Sequence, residues 1–249
     1  MDDTSGRRRV SDDTSGRRRV STARVLDAAL LVTITGTVSV VALQAVGGDW
    51  FPPEVSISQY GVGEYGWMLT MTLLFMAGAS GLLFWGAYRQ GPARGWQVAL
   101  PWTVWILALV VMAFVPTNEW PAPLSLTGQV HQAAAVCGLF AAPIGAVLMV
   151  GIGARGARAG PGARARIVVI ICAALSWLFL ALLLLTNIDI DFTGLGYRRA
   201  WSLHQTIAVV LDIVMTFALI ICQRARVGLE SERLGTISST SSTSSSVAG

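Results

Sequence analysis

If the apolar run from Trp201 to Cys222 is helical, the carboxyl of Asp212 stands ~16 Å inside it. An acidic side chain at such depth costs roughly 2.5–3.5 kcal/mol on the gentlest insertion scale, so Asp212 must face a bundle interior. Two chemistries fit it. One is a neutral carboxyl hydrogen-bonded to a hydroxyl that holds helices together. Ser176 lies at similar depth in the preceding run, and Thr35 with Gly36 in the first. The other is a proton-carrying or general-acid carboxyl lining a cavity.

His131 and His204 are the only histidines. Each falls in the first turn of an apolar run and each is followed by Gln, so the two imidazoles are expected at one depth. Histidine titrates between pH 5 and 8 and binds zinc. Glu64, Glu119, Asp189 or Asp191 would complete a metal site, but no tight ligand spacing such as His-Glu-x-x-His is present. No metal and no cofactor is therefore assigned, and capping or hydrogen bonding at a helix end is the plainer role. His204 and Asp212 are ~80° and ~12 Å apart on one helix, which suits two walls of a cleft and not a direct bond. Arg198 and Arg199 precede the last run, where a guanidinium pair suits a phosphate or carboxylate. Pairing with Asp189 and Asp191 is the alternative.

No phosphate-binding Walker loop, Gly-x-Ser-x-Gly elbow, paired aspartate-rich motif or cysteine cluster accompanies these residues. They sit among six apolar runs: Val25–Val46, Trp67–Tyr88, Trp96–Val115, Val130–Ile152, Ile167–Thr186 and Trp201–Cys222. Each is long enough to cross a ~30 Å hydrocarbon core, where backbone groups must be satisfied within a helix. Hydrophobic residues make up 53% of the chain and charged ones 13%, against roughly 25% charged in a soluble domain. The expected fold is all-α: a polytopic membrane protein with six transmembrane helices in one bundle.

Basic residues orient it. There is no lysine, and every arginine except Arg198 and Arg199 falls on one side if the helices alternate. The positive-inside rule then places both termini in the cytoplasm. Anionic lipid headgroups account for the +4 net charge, and no nucleic-acid partner is expected. The first run is too long, and its basic lead too extended, for a cleavable signal peptide. Cys137, Cys172 and Cys222 lie in or at the ends of the runs, so no disulfide is expected in the outer loops.

The domain organisation follows: a basic, disordered tail over 1–24, a six-helix domain over 25–224, and a Ser/Thr-rich disordered tail over 225–249. The first tail carries a perfect repeat, Asp2–Ser11 and Asp12–Ser21. It reads as a duplication, and its Arg-Arg-Val-Ser segments also fit a basophilic kinase site at Ser11 and Ser21. The outer loops are richer in acids and aromatics, holding Asp49, Trp50, Glu54, Tyr60, Glu64, Tyr65, Asn118, Glu119, Trp120 and Tyr197, and loops of this kind carry function. Ala77 with Gly81, and Ala141 with Gly145, are spaced for close helix approach. Pro143 should kink the fourth helix. Trp50, Trp67, Trp96, Trp120 and Trp201 suit an interfacial belt.

Four outer-face landmarks go further: Ser56-Ile57-Ser58-Gln59-Tyr60-Gly61, Phe114-Val115-Pro116-Thr117, Gly128 through His131, and Gly194-Leu195-Gly196-Tyr197-Arg198. Together they resemble the bacterial membrane family known as domain of unknown function 998, over roughly Leu26 to Arg224. That family is similar in turn to the Frag1/DRAM/Sfk1 group, linked to membrane lipid organisation. The resemblance implies a six-helix bundle, no established enzyme activity, and a shared outer-face site at Ser58, Tyr60, His131 and Arg198. His204 and Asp212 fall outside its pattern.

These readings lead to a protein of the bacterial inner membrane, for which low Lys and high Ala, Arg, Gly and Val suggest a high-GC source. It is expected to bind a lipid or apolar ligand in an outer-facing cavity lined by Tyr60, His131, Arg198 and His204, with Ser58 and Arg199 nearby. The alternative is an intramembrane enzyme acting on a lipid or isoprenoid, with Asp212 or Glu64 as acid and His131 or His204 as base. A proton-coupled transporter using Asp212 is third.

Overall fold

The computed structural model describes residues 4–48, 51, 53–119, 122–152, 160–188, 190 and 193–244, and the side chains of those between 20 and 229, save 152, and of 232. Asp49, Trp50, Trp120, Asp189 and Asp191 lie outside the described residues, as do the side chains of the tandem repeat before Val20. Among the described residues all regular structure is helical. The elements are α1 (Thr4–Gly47), a 3-10 turn (Ile57–Gly61), α2 (Gly66–Gln90), α3 (Trp96–Phe114), α4 (Leu126–Ile152), α5 (Pro161–Thr186) and α6 (Tyr197–Ser244).

All six α-helices contain a stretch long and apolar enough to cross a membrane, from Val20–Gly47 in α1 to Tyr197–Leu229 in α6. This is a multi-pass helical bundle, as the apolar runs indicate. Boundaries at 24 and 225 fall inside α1 and α6, which run on beyond their apolar spans. Extending a formed helix avoids the unfavourable nucleation step.

Sequential helices pack as antiparallel pairs, α1 with α2, α3 with α4 and α5 with α6. Contacts of α2 with α3, α4 with α5 and α1 with α6 close the ring, and α6 also reaches across to α2 and α4. The last helix thus packs against four others, and a carboxyl on the enclosed face avoids lipid. Six alternating helices bring both chain ends to one end of the bundle, here the terminal end. The other is the loop end.

Lipid tails are as apolar as leucine, so side-chain shape and polar contacts hold such helices together. At Gly138 an added Cβ would come 2.7 Å from the Ala108 Cβ, and at Gly145 2.9 Å from the Trp102 ring. These two glycines let α3 lie against α4. Gly145 was expected in this role; Gly81, expected likewise, has open space around it. Trp102 and Trp105 on α3 then donate their indole N–H groups to the Ser80 carbonyl (2.9 Å) and hydroxyl (3.0 Å) on α2. At the terminal end Arg224 on α6 pairs with Asp27 on α1, and Arg89 on α2 donates to the Ser21 hydroxyl (2.7 Å).

Candidate functional site

Two cavities enter the bundle from the loop end. The upper one, a vestibule of about 360 Å³, lies between the 3-10 turn, the α3–α4 loop and the starts of α4 and α6. Its wall is mixed: Asn118, Glu119, Gln132 and Arg198 stand beside Leu124, Val136 and Trp201. The lower one is a chamber of about 80 Å³, walled mainly by apolar side chains of α2, α3, α4 and α6, with Asp212 among them. Ser58, His131, Ala135, Leu139 and Gln205 border both. The two are therefore neighbours, with these five residues between them and Asp212 in the wall of the lower one.

One stripe of α6 forms a continuous wall. Ser202, Gln205, Val209, Asp212 and Thr216 all line a cavity. Their spacing of three and four residues keeps them on one helix face. Asp212 is 4% exposed. Ser176 on α5 donates to its Oδ1 at 2.9 Å, while Oδ2 has no hydrogen bond within the protein. Gln205 Oε1 and, across the chamber on α2, Thr72 Oγ1 are buried and unpartnered as well. An interhelical hydrogen bond in a membrane returns ~0.6 kcal/mol on average and ~1.7 at most. That is less than the cost of placing the carboxyl at this depth, so the Ser176 bond does not by itself account for Asp212.

His131 is the hinge between the two cavities. Its Nδ1 lies 2.6 Å from the Val115 carbonyl oxygen at the end of α3. A carbonyl only accepts, so Nδ1 carries the proton and Nε2 is the acceptor of the neutral ring. His204 has a different setting. Thr186 donates its hydroxyl hydrogen to the Leu182 carbonyl (2.8 Å), so the contact of 3.3 Å with His204 Nδ1 is made by a ring N–H. The ring also lies 6.1 Å from Phe179. His204 thus joins α6 to α5 and lines neither cavity.

Over the mouth, Gln59 of the 3-10 turn donates to the Asn118 carbonyl at 2.7 Å. The Asn118 side chain organises the α3–α4 loop: Oδ1 accepts from the Ser125 N–H (3.0 Å) and hydroxyl (2.9 Å), and Nδ2 donates to the Pro123 carbonyl (2.8 Å). Such side-chain-to-backbone bonding is what asparagine does best in tight loops. Gly128 makes room for it, since a Cβ there would sit 1.8 Å from Asn118 Oδ1.

A family described as "Protein of unknown function (DUF998)" matches residues 28–221, six-helix core and cavities included. The chain belongs to the DUF998 family. No curated protein and no solved structure matches it. The wider likeness to the Frag1/DRAM/Sfk1 group has no support in these matches.

Within this DUF998 protein the landmark residues separate by role. Ser58, His131 and Arg198 line the cavities. Tyr60 instead donates to Gln44 Oε1 on α1 (3.2 Å) and packs its ring over Gly47, where a Cβ would come 2.3 Å from it. Arg199 pairs with Glu54 of the first loop, and Arg198 has no ion-pair partner among the described residues. Glu64 is exposed in the turn before α2 and lines neither cavity. Asp212, Glu64 and His204 are therefore not brought together. Among the described residues no three His, Cys, Asp or Glu side chains gather into a metal-binding group. Sequence reasoning named Asn118 only as one residue of the outer loops and Gln205 only as the residue after His204, and gave neither a role. Gln205 had a signal, since it stands two turns before Asp212 on the same face.

Proposed function

We propose that this DUF998 protein binds an anionic amphiphile, such as a lipid or isoprenoid, in the loop-end vestibule. The observation that carries this reading is the vestibule itself. Its volume of about 360 Å³ falls in the range of roughly 300–1,000 Å³ typical of small-molecule sites. Its wall combines apolar surface with the guanidinium of Arg198. The chamber beneath, at about 80 Å³, is too small for a lipid tail. The ligand's charged end would lie against Arg198 and its apolar part against Leu124, Val136 and Trp201. In this reading the arginine-rich terminal end faces the cytoplasm of a bacterial cell, the positive-inside arrangement, and the vestibule opens outward.

The test is native mass spectrometry of the detergent-purified protein, with extraction and identification of retained lipid. A specific anionic lipid should be retained by the native protein. The Arg198→Ala variant should bind it about tenfold more weakly, the scale of one charge-assisted hydrogen bond at a partly solvated rim. Equal retention by native protein and variant, or no retained lipid in a folded sample, would sink the reading.

A further inference from the structure

The chamber beneath the vestibule suits different chemistry. Its unpartnered polar atoms are graded in depth. Thr72 stands two turns into α2 and Gln205 two turns into α6, while Asp212 lies ~10 Å farther along α6. Thr72, Gln205 and Asp212 are 3%, 8% and 4% exposed. Buried polar groups in folded proteins nearly always find partners, and where protein supplies none, water does. A chamber of about 80 Å³ has room for a few water molecules. At hydrogen-bond spacing about three of them span the interval between Gln205 and Asp212.

On the far side of Asp212 the next buried side chains of α6, apart from Thr216, are apolar. Met215, Leu219 and Ile220 are each no more than 1% exposed. The Thr216 hydroxyl is turned back onto the Asp212 carbonyl at 2.8 Å. The next polar group on this stripe is Gln223, beyond that apolar layer.

We propose that Asp212 is a proton-exchange site, reached from the loop end alone through a file of water past His131 and Gln205. The inference does not rest on the ligand reading, although a ligand in the vestibule would cover the mouth of the file. The groups facing the carboxyl are few. Helix α5 brings Ser176 and Cys172, α4 brings His131 at the mouth, α3 brings Trp105, and α2 brings Thr72 and Ser80. Among the described residues, no arginine and no second carboxylate lines the chamber. The ligand is thus a hydrated proton, with no fixed cation to compete for the carboxyl. In the exchange, a proton leaves a chamber water for Asp212 Oδ2, and the hydroxide equivalent is neutralised along the file from the loop-side solution.

Two experiments on the full chain test this. In the first, Cys137, Cys172 and Cys222 are replaced by alanine, and single cysteines are placed at Val209, Asp212 and Leu219. The protein is then oriented in vesicles and treated from one side or the other with silver ion, a thiol reagent that does not cross lipid and is small enough to travel a file of water. Cysteines at 209 and 212 should react from the loop side only, and one at 219 from neither side. If 209 and 212 are as inert as 219, the chamber is dry and the proposal fails. In the second, the native protein is followed by infrared difference spectroscopy. A carboxyl band that is lost in Asp212→Asn and displaced in Ser176→Ala should shift in heavy water and track the pH of the bath. A band indifferent to pH and heavy water overturns the proposal. A band that follows sodium at constant pH overturns it in favour of a metal cation.

Discussion

The carboxyl of Asp212 makes one side-chain hydrogen bond, from Ser176, and leaves Oδ2 unpartnered. Its one hydrogen bond returns less than its insertion costs, so removing the polar pair should stabilise the bundle. Replacing a buried polar pair by apolar groups of suitable volume is often neutral or favourable, and the adjoining chamber gives a leucine room. The Asp212→Leu/Ser176→Ala double variant should therefore unfold at a higher temperature in detergent than the native protein, by the equivalent of ~1–3 kcal/mol. A clear drop would show that the pair is structural glue. Asp212→Leu alone leaves the buried Ser176 hydroxyl without its acceptor, and should gain less than the double variant. At this scale the sequence was legible in part. The depth of Asp212, and Ser176 and Thr35 as hydroxyls at that depth, follow from counting residues along apolar runs; that Ser176 is the partner is decided by packing. The setting of His204 does not follow from counting either: it lies ~80° around from Asp212, and only the neighbouring helix decides whether that face meets a cavity or the Thr186 hydroxyl. Tyr60 was obscured for the same reason, since its partner Gln44 lies on a helix whose approach no local pattern reveals.

Between elements, the decisive residues are those where a methyl group would not fit. Hydropathy alone marks where the six helices run, because each must satisfy its backbone inside the bilayer. Which small residues bring helices together is a tertiary matter. Gly81 and Gly145 occupy equivalent small-x-x-x-small patterns, yet only Gly145 meets a neighbour, the Trp102 ring. The contrast is testable. Gly138→Ala forces the Ala108 methyl aside and should cost ~1–3 kcal/mol of stability, the usual price of overpacking a close contact. Gly81→Ala should be neutral or slightly stabilising, since alanine is the better helix former. Equal melting temperatures for the two variants would mean that α3 and α4 do not meet as closely as described. Gly128→Ala acts on the loop instead. By displacing the Asn118 side chain it should release the α3–α4 loop, seen as faster proteolysis or hydrogen exchange near Asn118, with the helices intact. Unchanged protection there would remove Asn118 from its organising role.

Across the whole molecule, charge and cavity are segregated to opposite ends. Among the described side chains Arg24, Arg89, Arg94, Arg164, Arg166, Arg224 and Arg226 sit at the terminal end, while the vestibule lies at the loop end. Insertion and function therefore make separate demands. Arginines near the ends of spans orient a membrane protein; Arg198 and Arg199 stand at the loop end instead, where Arg199 is held by Glu54 of the first loop. This separation predicts a specific topology result. A reporter active only in the cytoplasm, fused after Gly249, should be active, and a small epitope inserted at Gly63 should be reached by antibody from outside intact cells. Arg198→Ala and Arg199→Ala should leave both results unchanged, because removing outer arginines strengthens the inward bias. Arg89→Ala/Arg94→Ala weakens that bias at one connection and should produce, at most, a minor inverted population. Epitope exposure at Gly63 together with a silent cytoplasmic reporter would place the two termini on different sides. That arrangement cannot arise from six alternating helices, and with it the common loop-end entrance to Asp212 would be lost.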